Sequence, residues 1–222
     1  MNSHPRDLSG DSEIKAVIFD LGGVLVRTEF PEVRHQLERR HGFEPGHVER
    51  TIWASEDWEL AQLGDLSYEE YWKRVGATLG LATPQETADF RREYFSADRV
   101  DQELVQLIEE LRLRYKIGLL SNAPDKLDTW LENDWGIAHL FDAVVYSGKV
   151  GMVKPDPRIY QLILERLEVQ PAEALFVDDY PRNIDAALAL GMAAVRFTST
   201  TALKRDLRRY IAWEMGDGGA SE

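Results

Sequence analysis

At 222 residues the chain only slightly exceeds the usual ~100–200 of a single domain, and 44% hydrophobic with 29% charged residues excludes wholesale disorder. Its 26 Lys and Arg against 39 Asp and Glu leave a net charge of -13, which repels phosphate backbones and anionic lipid, so neither nucleic acid nor a membrane surface is an expected partner. The absence of cysteine excludes disulfides, thiolate metal sites and thiol nucleophiles, and points to the cytoplasm.

The opening Met1–Lys15 stretch is polar and lacks the apolar centre of a secretory signal. Residues 1–13 and 211–222 are expected to be flexible termini, the second acidic and Gly-rich from Gly216. Between them, short apolar runs read as buried strands: Ala16–Phe19, Ile117–Leu120, Ala143–Tyr146, Leu175–Val177 and Ala193–Phe197. Segments of helical period separate the later runs. Gln102–Leu113 places Leu104, Leu107, Ile108 and Leu111 on one face, and Arg158–Leu167 does the same with Ile159, Leu162, Ile163 and Leu167. This alternation predicts an α/β fold with a parallel sheet. The interval between the first two runs is far longer than a crossover needs. From Pro31 to Ala97 it has no convincing strand but several helix-like pieces punctuated by Gly42, Pro45, Gly64, Gly80 and Pro84. The expected organisation is a core of residues 14–30 and 99–210 and an all-helical cap of residues 31–98. The longest apolar stretch, Ala186–Val195, is interrupted by Gly191 and falls short of the ~18 residues a spanning helix needs.

Ligands of open parallel sheets bind at the carboxyl ends of the strands. Asp20-Leu21-Gly22-Gly23 follows the first run, Ser121-Asn122 the second, and Asp178-Asp179 the fourth, while a loop over Ser147–Asp156 after the third contains Lys154. Three carboxylates, a hydroxyl, an amide and an ammonium at strand ends make a set suited to magnesium and phosphate. On so acidic a protein, a phosphate site needs a local cation.

With these residues go four segments, "VIFDLGGVL" (Val17–Leu25), "IGLLSNA" (Ile117–Ala123), "GMVKPDPRIY" (Gly151–Tyr160) and "LFVDDYPRNIDAALALGM" (Leu175–Met192). In order and spacing they resemble the motifs of the haloacid dehalogenase-like hydrolases, in the branch with a helical cap after the first strand. The resemblance covers Ala16 to about Phe197 and implies a Rossmann-like core, Mg²⁺ and aspartyl-phosphate chemistry on a small phosphorylated substrate. It makes Asp20 the nucleophile, and Asp20, the Gly22 carbonyl and one or both of Asp178 and Asp179 the metal ligands, with Asn183 orienting them. Ser121 and the backbone amides of Asn122 and Ala123 would hold the phosphoryl oxygens, and Lys154 would neutralise nucleophile and phosphate.

The pattern departs from the family's phosphatases at Gly22, where a second Asp usually serves as general acid and base. The same Asp-x-Gly departure resembles a bacterial group containing glucose-1-phosphate phosphatase, as does Leu60–Tyr68, which brings sugar phosphates in among the small phosphorylated metabolites expected, although no motif names the substrate. Without that second Asp the departing oxygen is expected to leave largely unprotonated unless a cap residue, water or the substrate supplies the proton, Glu29 or a polar residue near Gly64 being the candidate if a substitute acid exists. Two alternatives are a catalytically weak or silent binding protein, lacking the acid, and a 2-haloacid dehalogenase, which would leave Asp178-Asp179 without a cation. A receiver domain would carry its acidic pair after the first strand, not the fourth. Trp53, Trp58 and Trp72 lie in the cap, where the alternatives are the wall of a substrate pocket and packing of the cap core, the second being expected. His35, His41 and His47 lack the spacing of a helical zinc site, and Lys204–Arg209 is expected to be a solvated helix face. Oligomeric state is not legible.

Overall fold

The computed structural model describes residues 13–211; the Gly-rich tail from Gly216 and most of the expected N-terminal arm lie outside them. Among the described residues are seven strands, β1 (Ala16–Phe19), β2 (Val26–Thr28), β3 (Asp98–Val100), β4 (Lys116–Ser121), β5 (Ala143–Tyr146), β6 (Ala174–Asp178) and β7 (Ala193–Arg196). Five form one parallel sheet in the order β5-β4-β1-β6-β7. The chain reverses direction of winding on either side of β1, so the carboxyl ends of β1, β4 and β6 open into one crevice.

Strand periodicity divides the core. Val17 and Phe19 face one side with Ile117, Leu119, Leu175 and Val177, packed against Leu104, Leu107, Ile108 and Leu111 of the helix Gln102–Leu111. Ala16 and Ile18 face the other with Leu120, Val145 and Phe176, under Ile159, Tyr160 and Ile163 of the helix Pro157–Leu167. Both faces are covered, which is why these strands read as continuous apolar runs rather than alternating ones.

Five helices, Glu32–His41, His47–Trp53, Glu56–Leu63, Tyr68–Thr78 and Pro84–Tyr94, lie between β2 and β3 and bury a core of their own around Leu37, Ile52, Tyr71 and Phe90. Ser55, Ser67 and Thr83 cap three of these helices, each accepting a backbone N–H three residues on. β2 and β3 pair antiparallel, Val26 opposite Val100 and Thr28 opposite Asp98. Neither strand is among those expected from sequence. Each is three residues long and only partly buried, so no apolar run marks it. The ends of the described chain are also tied in. Ile14 is buried, Lys15 donates its N–H to the Glu173 carbonyl and pairs with that residue's carboxylate, and Ile211 packs on the first core face.

Candidate active site

Asp20 leaves β1 with its backbone N–H donated to the Val177 carbonyl of β6 (2.8 Å), so the strand pairing itself fixes its position. Lys154 arrives from the segment after β5. Its Nζ lies 2.8 Å from Asp20 Oδ1 and 2.7 Å from Asp178 Oδ2, with all three residues at most 8% exposed. Lys154 is held there by its backbone: its N–H donates to Asn122 Oδ1 (2.7 Å), and Asn122 Nδ2 donates to its carbonyl (3.1 Å). The Lys154–Pro155 peptide is cis. Asp20 Oδ1 also accepts the Leu21 N–H at 2.7 Å, leaving Oδ2 the freer oxygen.

The two adjacent aspartates differ in their surroundings. Asp178 is fully buried, and besides Lys154 it accepts the Tyr180 N–H (2.7 Å) and both carboxylate contacts of Asn183 Nδ2 (3.0 and 3.2 Å). Asp179 is more open and reaches toward Gly23, and one oxygen of each of Asp20, Asp178 and Asp179 lies within 4.8 Å of the others. Three carboxylates facing one ammonium leave an excess of negative charge, and hard oxygen donors at this spacing suit a divalent cation. The same crowding moves the proton affinities. Burial pushes the Asp20 carboxyl up to about 6, against the pull of Lys154 and with the help of Asp178. Burial and the neighbouring Asp178 raise Asp179 as well. Burial alone would lower the Lys154 ammonium, but Asp20 and Asp178 outweigh it and hold it above its ordinary value.

The structure thus brings together Asp20, Lys154, Asp178, Asp179 and Asn183. Gly22 and Gly23, Ser121 at the end of β4, and Asn122 line the adjoining cavity. Two expectations change. The Ala123 N–H is already donated to Ser147 Oγ (3.0 Å), whose hydroxyl donates back to the Ala123 carbonyl (3.2 Å), so that amide is not free for a phosphoryl oxygen. The Asn122 side chain is committed to the Lys154 backbone, leaving its contribution to its amide. Ser147, fully buried, escaped the sequence reading although it directly follows β5, and the expected loop there begins as a short helix, Ser147–Val150. The strand-end rule, applied to the third run, would have found it.

The cavity above measures about 1120 Å³ and extends from Leu21–Gly23 and Ser121–Pro124 to the inserted helices. Trp53, Trp58 and Trp72 pack in the inserted core, as expected, and also line the cavity. Glu29 is exposed and outside its lining. The insertion is seated by backbone. A Cβ on Gly64, whose φ is +80°, would lie 2.4 Å from the Gly148 carbonyl oxygen, and one on Gly148 would lie 2.7 Å from the Ala123 carbonyl oxygen. Beside this stack the Tyr68 N–H donates to Asp125 Oδ1 (3.1 Å), and the Tyr68 and Trp130 rings meet edge to face at 5.0 Å.

An acidic cluster at the carboxyl edge of an open parallel sheet, beneath a large cavity, is the arrangement of an α/β enzyme acting on a small molecule. Residues 14–191 match the haloacid dehalogenase-like hydrolases, and the chain belongs to that family. It is 31% identical to the sesquiterpene phosphatase astK of Aspergillus oryzae over 89% of this chain and 96% of the relative. It is also 31% identical to the (S)-2-haloacid dehalogenase of Xanthobacter autotrophicus, over 87% of this chain and 79% of that one. Among solved structures, a haloacid dehalogenase family enzyme of Bacteroides thetaiotaomicron, in complex with magnesium and inorganic phosphate, matches with a TM-score of 0.69 at 21% identity, over 83% of this chain and 94% of that one. That likeness is one of fold. No helix among the described residues is long and apolar enough to cross a membrane.

Proposed function

We propose that the chain is a magnesium-dependent phosphomonoester hydrolase that works through Asp20, with residues 31–98 acting as a cap over the site. The observation that carries this is the Lys154 ammonium bridging Asp20 and Asp178 while Asp179 stands within cation-sharing distance. A 2-haloacid dehalogenase would use the same nucleophile without magnesium, and gathering three carboxylates around one ammonium without a further cation is costly. The phosphatase named above, similar over nearly its full length, supports the same choice. Asp178 is saturated by protein donors, so Asp20, Asp179 and the Gly22 carbonyl would hold the ion, and Asp178 would hold Lys154 and Asn183 in place. Magnesium, when bound, supplies positive charge that offsets the repulsion between a carboxylate and a phosphate.

The chain's own groups do the rest. Asp20 attacks phosphorus through one carboxylate oxygen as the bond to the alcohol oxygen breaks, giving an acyl phosphate that water hydrolyses to inorganic phosphate. Lys154 neutralises the phosphoryl oxygens, and the Ser121 hydroxyl and Asn122 N–H donate to them. The departing oxygen takes its proton from water or the substrate, since Gly22 offers none.

Turnover of an aryl phosphate tests this reading. It should require magnesium, vanish in chelator and in Asp20→Asn, and return on adding the metal. Beryllium fluoride, which mimics a phosphoryl group on a carboxylate, should inhibit turnover and raise the melting temperature in the presence of magnesium, and should do neither in Asp20→Asn. Turnover undiminished in chelator, or release of halide from 2-chloropropionate with no phosphatase activity, would reject it.

A further inference from the structure

We propose that the phosphomonoester carries a long apolar alcohol, hydrocarbon or isoprenoid in character, rather than a sugar; this rests on the phosphatase reading above and names its substrate class. Size is the first ground. The cavity of about 1120 Å³ lies just above the ~300–1,000 Å³ usual for small-molecule sites, far more room than a hexose phosphate fills.

The wall is the second ground. Trp53 meets Trp58 edge to face at 4.7 Å, Trp58 lies 5.5 Å from Tyr71, and Tyr68 carries the ring series across to Trp130 of the core at 5.0 Å. All five rings line the cavity. Such a surface recovers free energy by removing hydrocarbon from water, with no direction required of the ligand.

The third ground is what the polar groups of the wall already do. A sugar needs a donor or acceptor for each hydroxyl it brings out of water, and unpaired groups on either side are costly. Here Thr28 Oγ1 and Arg34 both donate to Asp98 (2.8 Å each), Trp53 Nε1 donates to the Tyr94 hydroxyl (3.0 Å), and the Tyr71 hydroxyl donates to the Ile52 carbonyl. The Asn122 side chain is spent on Lys154. Arg91 lies over the Tyr68 ring at 5.3 Å and the Trp72 ring at 5.9 Å, presenting its plane to aromatics. These groups are committed within the protein, so the aromatic part of the wall offers surface rather than hydrogen bonds, with Trp72 Nε1, which has no partner among the described residues, as an exception, and the charged groups of the lining, Glu69, Lys126 and Asp134 among them, are few for the hydroxyls of a sugar.

The experiment is a homologous series of n-alkyl phosphonates from two to ten carbons, non-hydrolysable, titrated into the full chain with magnesium and followed by calorimetry and tryptophan fluorescence. Affinity should climb by up to about fourfold for each methylene buried, with fluorescence changing as the chain grows, and the longest member should bind at least about tenfold tighter than glucose 1-phosphate bound to Asp20→Asn. An affinity that is flat along the series, or glucose 1-phosphate binding more tightly than the longest alkyl member, overturns the proposal. Aryl phosphate turnover is measured on the same protein. Turnover with a flat series rejects only the apolar substrate, whereas a climbing series without turnover rejects the phosphatase reading and keeps the ligand class. Trp58→Ala should lessen the gradient, and Trp130→Ala gives a second, independent point on the opposite wall; a gradient unchanged in both would also overturn the proposal.

Discussion

Gly23 and Asp179 occupy adjoining space: a Cβ on the glycine would lie 2.2 Å from Asp179 Oδ2, and the glycine's φ of +76° is one that side chains disfavour. The chain turn after Asp20 and the second aspartate of the pair are therefore built against each other, although 156 positions separate them. Gly23→Ala should cost about 1–2 kcal/mol from the backbone alone and displace the Asp179 carboxylate. Magnesium affinity should fall about 10–100-fold. Calorimetric titration of the metal, with thermal melts in its absence, separates the two effects.

The neighbouring aspartates should respond to neutralisation in opposite ways. Asp178→Asn confronts Lys154, Asn183 and the Tyr180 N–H with a partner that is no longer charged, and should cost roughly 2 kcal/mol or more of metal-free stability. Asp179→Asn removes a charge that burial and Asp178 already disfavour, so it should raise the metal-free melting temperature while weakening magnesium binding. Melts of both variants with and without the ion decide which residue holds the metal; the reverse pattern would assign it to Asp178.

In the metal-free protein Asp20 should show an unusual pH dependence. Its folded-state value of about 6 stands above the ordinary 3.8, so between these the folded state binds the proton that the unfolded state has released. Its contribution therefore becomes more favourable as pH falls from above 6 toward 4, and at neutral pH the ionised group is a net cost. Asp20→Asn should melt about 5 °C higher than the native chain at pH 7.5, and the difference should shrink on acidification to pH 4.5. A pH-independent difference between the two proteins would show that Asp20 is not the group responsible.

Gly22 is open where Gly23 is closed. Nothing lies within 4 Å of a Cβ built there, and its φ lies outside the left-handed range. Gly22→Asp should fold normally and restore a proton donor to the departing oxygen, speeding turnover of alkyl phosphates by about 10²-fold. The dependence of rate on leaving-group acidity, steep in the native chain across an aryl phosphate series, should flatten. A native series that is already flat would mean that another group donates the proton.

The five sheet strands were legible because both faces of the sheet are covered, so Val17–Phe19 and Leu175–Val177 are uninterrupted apolar runs. β2 and β3 were not, since they are three residues long, Arg27 and Arg99 stand opposite each other across them, and Arg27's partner, Asp101, lies 74 positions away. Asp20, Lys154 and Asp178 announced themselves by standing at or after strand ends, and Asn183 was expected beside the aspartates, but that Asn183 and the Tyr180 N–H both turn to Asp178 and leave Asp179 is something no spacing reveals. The clamp of Asn122 on Lys154 closes over 32 positions, beyond the reach of any local pattern. The tryptophans show a further limit: Trp53 and Trp58 pack against neighbours and face a cavity at once, and periodicity registers only the first.

The β2–β3 ribbon gives the inserted helices a single doorway. Chain departs at Thr28 and returns at Asp98 directly opposite, the two side chains hydrogen-bonded to each other at 2.8 Å. Because entry and exit are neighbours, nothing in the parallel sheet must be cut or re-registered when the intervening residues are lengthened, shortened or replaced. Aspartates and lysine stay where the sheet puts them while the roof is rebuilt, so the range of molecules admitted can diverge through one contiguous stretch of gene and the reaction performed on them can stay the same.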